Sequence, residues 1–178
     1  VILTLAVAAC AALLLCKSTA AQQRLFEQEP FDQITLDRNN DNKVLKVQPL
    51  DVPNRQLPEQ LPKSGKLRVQ LLDNPGTDYD VQWFMIEKVE LFEQLVLDKA
   101  QELIEAAKLE EAYDYFKFLE EKYPQLPALA GAMEGYLIQE FRVSYARQRY
   151  ADALSMLREL YRRNPQRKGL DAALGMAS

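Results

Sequence analysis

The chain contains no histidine. That absence removes imidazole metal sites, the Ser-His-Asp and Cys-His nucleophile systems, and the usual general base near neutrality. Only two cysteines occur, Cys10 and Cys16, both inside the first apolar stretch. The rest of the chain has no thiol for a disulfide, a zinc knuckle or covalent chemistry. Gly65 and Gly76 stand alone, so no phosphate-cradling loop is written. Positive charge is not in excess: 22 Lys and Arg face 26 Asp and Glu over 178 residues, a formal charge of −4. That balance is too acidic for a general nucleic-acid binder. Together these absences predict a non-enzymatic chain with no catalytic residues, no cofactor, no metal and no nucleic-acid partner.

What is present begins with Val1–Leu15, an apolar run broken only by Thr4. Lys17, Ser18, Thr19, Ala20 and Ala21 follow, the small-residue pattern of a cleavage site. Residues 1–21 read as a secretory signal peptide, too short for the ~20 apolar residues that cross a bilayer. The first residue is Val1 rather than Met, so the sequence reads as a fragment whose basic leader end is missing. Val7-Ala8-Ala9-Cys10 resembles a lipobox, but apolar residues continue after the cysteine. Cleavage would leave 21 bases against 26 acids, a charge of −5, and no cysteine. The expected location is exported, in the periplasm or cell envelope, with the membrane touched only through the leader or a transporter partner.

Residues 22–90 have the texture of a small β domain. Phe31–Leu36 and Val44–Leu50 alternate apolar and polar residues across the dense turn signal Asp37–Asn42. Pro49, Pro53, Pro58 and Pro62 space a non-helical loop. Lys66–Leu72 and Tyr79–Trp83 read as further strands around Asn74-Pro75-Gly76, and Ile86–Leu91 as a fifth or the start of a helix. Such strands close as an SH3-like or Sm-like barrel, or stay an open antiparallel sheet. Trp83, Tyr79 and Phe84 fit the core of that domain better than an aromatic binding face. Asp37, Asn39 and Asp41 alternate like an EF-hand loop. Asn42 replaces its glycine and Gln48 its bidentate glutamate, so a hydrated hairpin turn fits better.

Residues 91–178 change to helical periodicity. Helices are expected near 91–107, 110–122, 127–147 and 151–163, with another starting after Lys168. Within them two segments align residue for residue: Ala112, Phe116, Leu119 and Pro124 match Ala153, Leu157, Leu160 and Pro165. A small alanine sits where two helices cross closely, large apolar residues follow, and proline ends the helix. This pattern resembles the second helix of a tetratricopeptide (TPR) repeat, although the spacing is 41 residues against about 34 for that family. Ala107 and Gln148 stand where the family favours glycine in the turn between helices. The resemblance implies packed helical hairpins; an unrelated four-helix arrangement is the alternative. The fold class expected is therefore α+β, a small antiparallel β domain followed by TPR-like hairpins.

Charge is divided between the hairpins. Glu87–Lys122 carries eleven acids and five bases, whereas Arg142–Lys168 carries eight bases and two acids. Two readings follow: a solvated face on each hairpin, or complementary stacking. Glu110-Glu111 and Glu120-Glu121 read as surface carboxylates, not an acid–base pair.

Several phrases also resemble the N-terminal region of large bacterial exported proteins: Phe31-Asp32-Gln33-Ile34-Thr35-Leu36-Asp37, Val44–Leu50, Lys88–Gln94, Glu111–Phe116 and Leu160–Pro165. Those proteins carry an extracellular solute-binding domain of the peptide ABC-transporter class after TPR-like repeats. The resemblance implies a role in transport-related ligand capture and carries over no ligand-binding residue. The partner expected is a protein or peptide segment, or the protein's own downstream domain. A free-standing TPR scaffold of the envelope and an accessory region of an enzyme are the alternatives.

Overall fold

In Asp32–Leu36 (β1), residues 32, 34 and 36 share the buried face, so period-2 alternation sets the strand. The computed structural model describes residues 23–170. The expected leader Val1–Ala21, with both cysteines, and most of the helix expected after Lys168 lie outside them. The turn after β1 is a 3₁₀ turn at Arg38–Asn40 followed by Asp41 and Asn42 in the left-handed region. The Asp37 carboxylate accepts hydrogen bonds from the Asn39 and Asn40 side-chain amides. The alternating Asp37, Asn39 and Asp41 thus serve a hairpin turn. Val44–Val47 (β2) returns antiparallel to β1, with Ile34 opposite Leu45.

Lys66–Gln70 (β3) and Asp78–Gln82 (β4) form a second antiparallel pair. A 3₁₀ turn at Trp83–Met85 leads into Ile86–Glu90 (β5), which pairs with the other edge of β1. The first sheet has the order β2-β1-β5 and the second β3-β4. They join where β2 ends: Gln48 donates to the Gln70 carbonyl and Leu72 to the Lys46 carbonyl. Ile34, Leu36, Val47, Leu50, Val69, Ile86 and Val89 fill the space between them. Each such side chain contributes about 1.5–3 kcal/mol on burial. Tyr79 and Trp83 pack against this cluster, but Phe84 is 67% exposed and takes no part in it.

Among the described residues four helices follow: Phe92–Glu105 (α1), Leu109–Lys122 (α2), Leu129–Ala146 (α3) and Tyr150–Arg163 (α4). The fold is therefore mixed α+β, a small antiparallel sheet region followed by helices. α1 packs on α2 and α3 on α4, while α3 also touches α1 and α2. One hydrophobic cluster runs through all four helices, from Phe92 and Phe116 to Leu157 and Leu160. Phe31 and the segment Leu25–Phe26 join this helical cluster rather than the sheet cluster. The Phe26 ring meets Tyr115 edge-on at 4.7 Å and stacks on Phe118 at 5.4 Å.

The backbone of the two hairpins recurs at 41 residues. Ala107 donates to Ile104 and Lys108 to Leu103; Gln148 donates to Tyr145 and Arg149 to Ser144. These paired bonds are the Schellman closure of a helix end, which needs a left-handed residue. Ala107 and Gln148 supply it, with φ of 58° and 59°. Tyr123 and Asn164 then leave the helical region just before Pro124 and Pro165, as the proline ring demands.

Candidate functional site

Among the described residues, two places gather polar side chains that the packing leaves buried or unmatched. The first joins the sheet region to α1. Asp32 lies on the buried face of β1, in phase with Ile34 and Leu36. Glu93 lies on the buried stripe of α1 with Val96 and Leu97. A lone buried carboxylate is costly, so each needs a partner. Arg55 provides it from the proline-rich loop, with all five N–H donors engaged. Asp32 takes two of them at 2.9 and 2.7 Å, and Glu93 takes two at 3.1 and 2.8 Å. The fifth goes to the Leu50 carbonyl at 3.1 Å.

Asp32 also accepts the backbone N–H of Leu50 at 2.7 Å and of Phe92 at 2.8 Å. Phe92 opens α1, so a strand carboxylate caps that helix from outside. Burial opposes the Arg55 charge, but the hydrogen bonds to Asp32 and Glu93 outweigh it and raise its pKa. Asn54 and Arg55 both have positive φ, a strained turn that the hydrogen-bond set holds in place. Clefts of about 180 and 310 Å³ flank Arg55 and share Gln56, Glu93, Leu126 and Pro127. Arg55 has no N–H left for a ligand there. This junction is a lock, in which Asp32, Glu93 and Arg55 satisfy one another.

The second place is a cleft of about 460 Å³ between α2 and α3. Glu110, Glu111, Tyr113 and Asp114 line it from the first turns of α2, and Tyr136 and Glu140 from α3. Tyr113 is 49% exposed, and its ring stacks on Tyr136 at 6.1 Å. Tyr136 is only 6% exposed and lies against Phe116 at 5.4 Å. Its hydroxyl has no hydrogen-bond partner among the described residues. Burial, with Glu140, Tyr113 and Glu110 behind it, pushes the Tyr136 pKa up to about 12. Asp114 pairs with Arg24 at 2.6 Å, Glu111 with Lys108 at 3.2 Å and Glu140 with Arg149 at 3.9 Å. Glu110 has no ion pair among the described residues.

The repeat residues named from sequence occupy the hairpin interior. Ala112, Phe116 and Leu119 are buried on α2, and Ala153, Leu157 and Leu160 on α4. Pro124 and Pro165 each follow a helix end. Glu120 pairs with Arg163 at 2.6 Å across the two hairpins. Sequence reasoning names neither Asp32, Arg55 and Glu93 as a group nor Tyr136. A signal existed for the two acids, because each sits in phase with buried apolar neighbours. None existed for Arg55. No described helix is long and apolar enough to cross a membrane. No family model matches the chain, and neither a curated protein nor a solved structure is found similar to it.

Proposed function

We propose that the chain is a non-enzymatic interaction module, with TPR-like hairpins that take a protein or peptide segment, or the protein's own downstream domain. The recurrence at 41 residues of turn hydrogen bonds and buried positions carries this reading. Stacked hairpins of this kind bury one face on a neighbour and offer the rest as a surface. Hairpin two keeps aromatic side chains at such a surface: Tyr145 and Tyr150 are exposed and meet edge-on at 5.5 Å. The sheet region serves as an N-terminal support, fastened by Arg55. Its strand order, with β5 returning to β1 and β2 bridging to β3, supports an SH3-like arrangement. Export rests on the leader pattern of residues 1–21, and a transport-associated role on the sequence phrases that resemble exported solute-binding proteins.

A photoreactive residue placed at Tyr113, Tyr145 or Tyr150 in the native cell tests the module reading. A discrete crosslinked partner segment, or a crosslink to the protein's own continuation, is expected from at least one position. The absence of any adduct from all three overturns it. Sequencing the N-terminus of the mature protein tests export separately; an intact Val1–Leu15 segment overturns that part.

A further inference from the structure

The cleft between α2 and α3 holds three groups whose interactions are incomplete in the same direction. Tyr136 is buried as a residue and lines the cleft, and its hydroxyl, which keeps contact with water there, bonds to no described residue. The Glu110 carboxylate on the same wall has no partner among the described residues. Tyr113, half exposed beside Tyr136, adds an aromatic ring of the kind that attracts cations. An anion would meet four carboxylates here, and an apolar group would leave the hydroxyl and carboxylates unmatched. A planar cation with several N–H donors satisfies all three at once.

The same chain already shows this chemistry at the neighbouring rim. The Arg24 guanidinium bonds Asp114 at 2.6 Å and Glu27 at 2.7 Å, and lies 4.6 Å above the Phe26 ring. Arg24, Lys108 and Arg149 engage Asp114, Glu111 and Glu140 respectively, which leaves Glu110 as the carboxylate available to an incoming group. We propose that this cleft binds the guanidinium of an arginine side chain presented by a partner peptide segment. This rests on the reading of the hairpins as a partner-binding module and names the chemistry of the partner. The guanidinium lies against the Tyr113 ring, donates to the Tyr136 hydroxyl oxygen and pairs with Glu110.

The probe is a fluorescent peptide of repeated Gly-Ser-Arg units, with citrulline replacing arginine in a control peptide of the same shape and no charge. Fluorescence anisotropy on the full chain reads the dissociation constants, and circular dichroism checks that each variant keeps its helices. The arginine peptide is expected to bind about ten-fold tighter than the citrulline peptide, the scale of a hydrogen bond to a charged group. Tyr113→Ala is expected to weaken it about two- to five-fold, the range of an exposed cation–π contact. Tyr136→Phe, which removes only the oxygen, and Glu110→Gln should each weaken it measurably. Glu87→Gln, an exposed acid on β5 away from the cleft, should leave it unchanged. Equal binding of the two peptides overturns the proposal. So does a loss from Glu87→Gln as large as that from Glu110→Gln, which would mean diffuse attraction to an acidic surface. Either result leaves crosslinks from Tyr145 or Tyr150 free to uphold the module reading, so the two failures are distinguishable.

Discussion

Glu93 and Glu134 stand 41 residues apart, at equivalent places in α1 and α3. Glu93 is sealed beneath Arg55, which the sheet region supplies from 38 residues away. Glu134 lies nearer the surface, held by Asn164 and Arg167 of its own hairpin. The contrast continues elsewhere: Leu109 is 7% exposed and its counterpart Tyr150 is 58% exposed. Yet the turn hydrogen bonds of the hairpins match one for one. Backbone shape in such a repeat is set locally, by turn geometry and proline. Burial is set by whatever lies alongside. Hairpin one has the N-terminal segment and α3 as neighbours, and its polar residues have become part of an interior.

The largest expected effect tests the two glutamates. Arg55→Ala leaves Asp32 and Glu93 buried without their cation and should destabilise the chain by about 3–5 kcal/mol. Arg167→Ala removes the corresponding cation of hairpin two, where Glu134 can turn to water, and should cost less than about 1 kcal/mol. Chemical denaturation of both variants measures the difference. Equal losses would mean that the junction is no more an interior than the outer loop.

Tyr136 sharpens the comparison at the contact between the hairpins. Its counterpart in hairpin one is Leu95, which cannot titrate. Tyr136 ionises at about 12 when folded, whereas an unfolded tyrosine does so near ~10. In that window the unfolded chain has lost the proton and the folded chain keeps it. The contribution is therefore complete below about pH 10 and lost as pH rises through about 12. It amounts to at most about 2–3 kcal/mol, reduced by the water that reaches the hydroxyl through the cleft. Tyr136→Phe should flatten the alkaline limb of a stability–pH curve by that amount; an unchanged limb would show that the hydroxyl is open to bulk water.

A smaller effect is expected at Ala112, fully buried on α2 within the helical core. A larger side chain overpacks this position, at about 1–3 kcal/mol. Ala112→Leu should lower the denaturation midpoint clearly, while Glu111→Gln, whose ion pair with Lys108 is exposed, barely moves it. Equal and small shifts would place Ala112 at a loose contact and break the equivalence with Ala153.

The helices were legible because their signals are local. Expectations near 110–122 and 151–163 meet helices at Leu109–Lys122 and Tyr150–Arg163, since apolar spacing and proline both act within a few residues. β1 was legible as alternation, but its meaning was not. Asp32 occupies an apolar phase for a reason found 23 and 60 residues away, at Arg55 and Phe92. Phe84 shows the reverse error: it follows Trp83 directly, and the 3₁₀ turn points it outward. The Tyr136 cleft stayed hidden because it forms only when α3 meets α2. Spacing along one helix does not report such a meeting.

The smallest effect concerns the two turns that close α1 and α3. Neither has the glycine that the geometry favours, and each holds a residue with a Cβ in the left-handed region. That conformation costs an L-residue about 1–2 kcal/mol. Glycine removes the strain but adds roughly 0.4–1 kcal/mol of chain entropy to the unfolded state. The net gain should be about 0.5–1 kcal/mol for Ala107→Gly and the same for Gln148→Gly. Both side chains are exposed, so nothing else changes. Ala107→Val should go the other way, because a β-branched residue fits this region worst. Thermal melting of the single variants and of the pair decides the point. Equal gains that add in the double variant mean that both turns store the same local strain, whatever surrounds them. A gain at Ala107 without one at Gln148 would show that the turns differ in energy despite their matching hydrogen bonds, and that neighbours shape the backbone as well as the burial.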